Sequence, residues 1–524
     1  MNIATFSANT WIYPDTVIEN TNNSVTLHTA LNAMSCFQIL TDLVPDEQIT
    51  FSAEWSGINA VTPRIYQLLP VCADRNSGKD VLTGPYEDVC EYATRRAPFY
   101  VFDAMREIYD GKLHAGRTAF FVRLETEKNC PVGERKIKLK LTCGEEKAYI
   151  DIKLSVHHAE IPPVKDAAFG MVNWLNIDEM KRQHGVCEKD NEFRRILNRY
   201  IDNQLDMRNT HLQIPSGVPV KDENGVIADF DFTLAETVGN AALERGFNFI
   251  MGGFVARFKV WNEKDQFLLW DRDVSVDSHE GYRQLRIYFK KACEVMKKNG
   301  WEGRYMQTLV DEPQFFNSDQ YRILAGIARK YLPGIPIHDP VESTHLEGAI
   351  DIWDVKQAVF EKYIDEYRAL QAQGEEMWLY TCGVPAGKMM NRVMDLPLTA
   401  SILPMWMCCL YDCKGFLHWG YNVHTEKPFE ITSYRPDASN EEISYPAGNA
   451  HIVYPGEYGP LWSVRAQLQR QGAEDAELIE ILAGKNKVLS KEIIRSVCTD
   501  FSNYTFDGDK VDDARRAILE AIDG

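Results

Sequence analysis

The chain changes texture at Ile161-Pro162-Pro163, and that change constrains its fold more than any other feature. Before it, short runs of period-two alternation recur between turn residues: Ser24–Thr29, Cys36–Leu40, Thr50–Trp55, Thr118–Glu125, Lys136–Thr142 and Ala148–His157. Alternation of this kind marks strands with one face buried, and many short strands in succession predict a β-sandwich. The Pro-Pro pair fixes two successive φ angles and removes two donors, so it reads as a stiff exit from that domain. After it, apolar runs alternate with helical patterns, the signature of a parallel sheet covered by helices.

Eight strands are expected in this second part: Ala168–Trp174, His211–Pro215, Phe247–Met251, Tyr305–Val310, Ile335–His338, Ala349–Trp353, Met377–Thr381 and Gly415–Trp419. Helical patterns fall near Asn191–Met207, Thr233–Arg245, His279–Lys298, Asp319–Lys330, Phe360–Gln373 and Asp395–Leu410, with a last one near Leu461–Ala483. The fold class predicted is α/β: a (β/α)8 TIM barrel preceded by an N-terminal β-sandwich. A doubly wound dinucleotide fold lacks support, because no G-x-G-x-x-G follows any of these strands. The expected domains are 1–163 for the sandwich, 164–484 for the barrel, and a charged helical extension over 485–524 on the barrel's outside.

Barrel enzymes carry their chemistry at the C-terminal ends of the strands. Read in order, those ends present Asn173-Trp174, Pro215-Ser216-Gly217, Gly252-Gly253, Asp311-Glu312, His338-Asp339, Trp353-Asp354, Tyr380-Thr381-Cys382, and Trp419 with Asn422. Carboxylates, amides and aromatic rings together suit a sugar, whose apolar ring faces stack and whose hydroxyls need polar partners. The stretch YMQTLVDEPQ at 305–314 stands out, with Asp311 and Glu312 adjacent where a strand gives way to a helix. A plain structural alternative remains at this point, a helix start with acids in its first turn.

If the pair is catalytic, adjacency matters. Most glycosidases hold two carboxyls about 5 Å or more apart across the scissile bond, which sequence neighbours do not straddle. Adjacent acids fit the substrate-assisted exception, in which the sugar's 2-acetamido oxygen attacks the anomeric carbon. One acid then protonates the leaving oxygen while its neighbour orients the acetamido N–H. Like charge side by side is also expected to raise one pKa of the pair.

The remaining composition narrows the partners. Against 57 Lys and Arg stand 76 Asp and Glu, a formal charge of −19, which opposes nucleic acid and an anionic membrane surface. No apolar run reaches the roughly 18 residues of a membrane span. The opening MNIATFSANTWIYPDT shows no basic segment followed by an apolar core, so a cytoplasmic location is expected. The 12 cysteines include no C-x-x-C pair, and Cys408, Cys409 and Cys413 read as buried thiols rather than metal ligands. His157-His158 reads as a strand edge. No metal and no cofactor are expected.

Asn173-Trp174-Leu175, DEPQ at 311–314, WLYTC at 378–382 and GFLHWGYN at 415–422, together with VTLHTALNAMSCFQIL at 25–40, resemble glycoside hydrolase family 123 and its larger group of relatives. The resemblance spans nearly the whole chain. It implies a sandwich followed by a barrel and a retaining exo-acting β-N-acetylhexosaminidase, with N-acetylgalactosamine favoured and a carbohydrate as the partner. Carried over, Glu312 is the general acid/base and Asp311 orients and stabilises the acetamido group. Asn173, Trp174, His338, Tyr380, Trp419 and Asn422 are the expected substrate-binding residues. Two alternatives stay open: a glycosidase for a non-acetamido sugar, with Glu312 as acid and Asp339 or Asp354 as a distant carboxylate, and a non-catalytic carbohydrate-binding barrel.

Overall fold

The computed structural model describes residues 1–79, 88–260, 263–435 and 444–524. The first strands are β1 (Ile3–Ser7), β2 (Ser24–Leu31), β3 (Ala33–Thr41), β4 (Ile49–Ser56) and β5 (Val61–Ala73). They are followed by β6 (Phe99–Glu107), β7 (Lys112–Leu113), β8 (Ala119–Thr126), β9 (Gly133–Cys143) and β10 (Glu146–Glu160). One sheet runs β1-β3-β8-β5-β6 and the other β2-β10-β9-β4-β7. All of these pairings are antiparallel except β2 with β10. Alternation does the work on β10: Tyr149, Asp151 and Lys153 face outward while Ile150, Ile152 and Leu154 are buried. Those residues share one apolar cluster with Leu139 and Leu141 of β9 and with Phe37, Ile39, Phe120 and Val122 of the first sheet. Each such side chain taken from water stabilises the fold by roughly 1.5–3 kcal/mol.

The second part opens with β11 (Gly170–Asn173), α1 (Ile177–His184), α2 (Asn191–Asp206) and β12 (His211–Gln213). A hairpin, β13 (Val218–Lys221) and β14 (Ile227–Asp231), precedes α3 (Thr233–Arg245) and β15 (Phe249–Gly252). A small sheet of β16 (Ala256–Arg257), β17 (Phe267–Leu268) and β18 (Asp271–Ser275) leads into α4 (His279–Lys298) and β19 (Tyr305–Gln307). Then come α5 (Ser318–Tyr331), β20 (His338–Val341), β21 (Ile352–Lys356), α6 (Gln357–Lys362), α7 (Ile364–Ala372), β22 (Glu376–Thr381), α8 (Leu403–Leu410) and β23 (Gly415–His418). The helices are cut as elementary capping dictates. Ser278 accepts the Gly281 N–H at 2.9 Å to open α4, and Gly246 in the left-handed region closes α3.

Each of the eight strands expected after Pro163 overlaps an observed one. Five lie in a parallel sheet ordered β11-β23-β22-β21-β20, and three in a parallel sheet ordered β12-β15-β19. A parallel bridge pairs Gln307 of β19 with Ile337 just ahead of β20, and the Thr210 N–H donates to the Met171 carbonyl of β11 at 3.0 Å. Inside the five-stranded sheet the Trp378 ring lies across β11 and β23. A Cβ on Gly170 would stand 1.9 Å from that ring and one on Gly415 2.3 Å, so both positions require glycine.

The C-terminal part adds β24 (Tyr454–Pro455), β25 (Pro460–Ser463), α9 (Val464–Arg495) and α10 (Gly508–Asp523). β25 pairs with β6 and extends the first N-terminal sheet. Residues 1–163, 382–411 and 420–524 form one compact unit, and residues 164–381 with 412–419 form the other. The segment 485–524, expected on the outside of a barrel, instead belongs with the N-terminal sheets. Arg515 of α10 bonds Asp475 at 2.7 Å and the Met34 carbonyl at 3.2 Å, and Asp512 accepts from Ser7 at 2.6 Å. At its end Asp523 takes His157 at 2.7 Å, and His157 in turn meets His28 of β2 at 3.0 Å. His157 is thus an anchor for α10 rather than an ordinary strand edge.

Candidate active site

The acid pair is fixed by its neighbour strand. β19 ends at Gln307, and the chain beyond it is tied to β20 by three sets of bonds. The Leu309 N–H donates to both carboxylate oxygens of Asp339, at 2.8 and 3.1 Å. The Glu312 N–H donates to the Pro340 carbonyl at 3.1 Å, and the Glu342 N–H to the Pro313 carbonyl at 3.0 Å. Between these bonds Glu312 takes φ +51°, a left-handed conformation that costs a non-glycine residue roughly 1–3 kcal/mol. The flanking bonds hold it there. In a regular strand Asp311 and Glu312 would point to opposite faces; here both carboxyls feel the same ammonium, that of Lys356.

Glu312 is buried and well held. Its Oε1 accepts from the Tyr380 hydroxyl at 2.5 Å and lies 3.1 Å from Lys356 Nζ. Lys356 also makes a short ion pair with Glu342 Oε1, and Gln314 Nε2 approaches Glu342 Oε2 at 3.5 Å. Burial pushes the Glu342 carboxyl up to about 7; the charge and hydrogen bond of Glu312 push the same way, and Lys356 opposes them.

Asp311 is different. It is half-buried, and its carboxyl meets no hydrogen-bond donor among the described residues. Burial raises it to about 7, with Asp339 and Glu342 adding to the rise and Lys356 opposing it. The expected cause, repulsion from the adjacent Glu312, is not what raises it. The effect that dominates is loss of water.

The other expected binding residues divide. Trp174, just past β11, is half-buried, packs edge-on to Phe254 at 5.4 Å, and has an indole N–H with no acceptor among the described residues. Trp419, just past β23, is also half-buried. Tyr380 is buried, and its part is the hydrogen bond to Glu312 rather than an open ring face. Asn173 is buried and donates to Asn209 at 2.9 Å, a bond internal to the fold. His338 is the first residue of β20, not its last. It is wholly buried against Trp378 and His211, with Nε2 2.8 Å from Asp354 in an ion-pair contact not aligned as a hydrogen bond. Asn422 is buried in the other compact unit, where it bridges His451.

Asp339 and Asp354, the distant carboxylates of the alternative reading, are both fully buried within their strands. Asp339 is spent on the Leu309 N–H and on the Tyr321 hydroxyl at 2.8 Å; burial still raises it to about 8. Burial likewise raises Asp354, against the pull of His338.

Two residues of the cluster, Glu342 and Lys356, were not expected. The signal was present: β20 and β21 each extend three residues past the predicted end, and these two stand at the true ends. Among the described residues, no group of three or more His, Cys, Asp or Glu is arranged to hold a metal ion, and no helix is long and apolar enough to cross a membrane.

The arrangement supplies a held acid beside one without a donor among the described residues, with half-buried aromatic rings at the ends of β11 and β23. Residues 219–482, just over half of the chain, match the family model of the glycoside hydrolase 123, catalytic domain. In structure, the chain is similar to a family 123 glycoside hydrolase from Clostridium perfringens, studied for glycolipid glycan hydrolysis. The TM-score is 0.76 and the identity 14%, over 99% of this chain and 98% of that one. A β-D-glucuronidase of Dictyoglomus thermophilum aligns with TM-score 0.37 and 9% identity over 83% and 69% of the two chains. An endo-β-1,4-mannanase of Thermotoga petrophila aligns with TM-score 0.36 and 12% identity over 60% and 78%. Both of these are too distant to bear on the argument. No curated protein matches the chain in sequence.

Proposed function

The chain belongs to glycoside hydrolase family 123, an enzyme hydrolysing glycosides, and on that premise we propose that it is a retaining exo-β-N-acetylhexosaminidase, with N-acetylgalactosamine favoured, acting through the 2-acetamido group. The observation that carries this reading is the contrast within the adjacent pair. Glu312 is held by Tyr380 and Lys356, whereas Asp311 is a half-buried carboxyl with no donor of its own among the described residues. A half-buried carboxyl without a protein donor is open to one from a ligand, and an acetamido N–H is a donor of the right kind.

The scaffold we assign to this chemistry is a (β/α)8 barrel preceded in the chain by a β-sandwich. The two parallel sheets, the Gln307–Ile337 bridge and the Thr210–Met171 bond support it. In the first step the acetamido carbonyl oxygen attacks the anomeric carbon, the glycosidic C–O bond breaks, and the leaving oxygen takes the proton of Glu312. Asp311 accepts the acetamido N–H and balances the positive charge of the cyclised group. In the second step water attacks the anomeric carbon, gives its proton to Glu312 and reopens the ring, so configuration is retained. Trp174 and Trp419 offer ring faces to the sugar. Asp339 and Asp354 suit the non-acetamido alternative poorly, because each is buried and engaged inside a strand.

Paired aryl β-glycosides with and without the 2-acetamido group test the reading. Turnover confined to the acetamido sugars is expected. Equal turnover of the 2-hydroxy sugars would sink it.

A further inference from the structure

Glu312, Glu342 and Lys356 bring two carboxyls and one ammonium together at the ends of three neighbouring chain segments. Lys356, only 7% exposed, lies 3.1 Å from Glu312 Oε1 and in close contact with Glu342 Oε1. The groups facing Glu312 include Glu342 after β20, Lys356 ending β21 and Tyr380 on β22, with Asp311 adjacent to it in the chain. One ammonium neutralises one carboxylate, so in a buried site the second carboxyl is driven to keep a proton. The same two backbone bonds that seat Glu312 also seat Glu342, so the spacing of the pair is fixed by the strand ends.

We propose that Glu342 and Lys356 are positioning residues for the reaction: together they decide which of the Glu312 and Glu342 carboxyls carries their shared proton, and so the pH range over which Glu312 can protonate the leaving oxygen. This rests on the reading of Glu312 as proton donor, and not on the identity of the sugar. When Glu312 has given its proton to the leaving oxygen, the carboxylate it becomes is held by Lys356 and the Tyr380 hydroxyl. The proton it regains in the second step comes from the attacking water. Glu342 neither gains nor loses a proton over the cycle; it sets the balance at its start.

The two residues act in opposite senses, and that makes the inference testable. The alkaline limb of the kcat/KM profile reports loss of the proton from the free enzyme's acid. Glu342→Gln removes the competing carboxyl and should move that limb to lower pH. Lys356→Met removes the ammonium and should move it to higher pH, each by about one pH unit or more. The profiles are measured on phenyl 2-acetamido-2-deoxy-β-D-galactopyranoside for wild type, both variants and Glu312→Gln, with circular dichroism as a check on folding. Glu342→Gln is isosteric and carries the test even if Lys356→Met fails to fold. Opposite shifts, with Glu312→Gln inactive, are the expected result. Unmoved limbs, or limbs that move the same way, with Glu312→Gln inactive would overturn the role of the pair and leave the acid assignment standing. A Glu312→Gln enzyme that retains wild-type turnover would overturn both.

Discussion

Tyr380 donates its phenolic hydrogen to Glu312 across 2.5 Å, from the strand β22 to the loop that follows β19. A ring expected to lie against a sugar thus serves first to aim a carboxyl. Tyr380→Phe keeps the ring and removes the hydroxyl that bonds Glu312. Because a hydrogen bond to a charged group is worth about 1.5–3 kcal/mol, kcat on substrates with poor leaving groups should fall roughly ten- to a hundredfold. Steady-state kinetics checks this, and an unchanged kcat would make the contact incidental.

The stacking role proposed for Trp419 gives a second prediction. It is half-buried at the end of β23, so removing the ring should cost binding more than folding. Trp419→Ala should raise KM by about tenfold, as expected for loss of roughly 1.4 kcal/mol of ring contact, with the melting temperature little changed. A large loss of stability with KM intact would make the ring a packing element.

Asp339 gives a prediction about stability and pH. Burial holds its carboxyl at about 8 in the folded chain, against about 3.9 in an unfolded one. Between those values the folded state keeps a proton that the unfolded state has lost, so stability falls as pH rises through this window and levels off above it. Asp339→Asn cannot ionise, yet still accepts the Leu309 N–H. Thermal melting from pH 5 to pH 9 should therefore fall less steeply in the variant than in wild type. Parallel curves would place the charge of Asp339 elsewhere in the pH range.

What the sequence discloses here depends on where proline stands. Strands with clean alternation, such as β4, β9 and β10, were legible because one face meets the core and the other water. Val61–Ala73 is absent from the expected strands; it carries Pro63 and Pro70, which cannot donate to a ladder, yet the chain passes them as a strand, with a register shift between Leu69 and Pro70. The expected strand Ile335–His338 stops two residues before Pro340, whereas β20 runs through it, and the Pro340 carbonyl is the acceptor that seats Glu312. His338 is therefore a strand start rather than a strand end, and Glu342 lies beyond the expected strand. Asp311 and Glu312 were visible as an adjacent pair. Their unequal surroundings were not, because those surroundings come from residues up to 68 positions away, as the Glu312–Tyr380 bond shows.

The central claim is that Asp311 and Glu312 do different work in one substrate-assisted reaction, and their leaving-group dependence tests it most directly. Turnover of Asp311→Asn and Glu312→Gln is measured on matched acetamido glycosides with good and poor leaving groups, and each enzyme is titrated with the thiazoline analogue of the sugar. Glu312→Gln should lose most on poor leaving groups and little on activated aryl groups, where protonation matters least. Asp311→Asn should lose about 10²–10³ on both, the loss typical of one electrostatic stabiliser, and the thiazoline should inhibit wild type. Equal losses for both variants across leaving groups, with no inhibition by the thiazoline, would contradict the account.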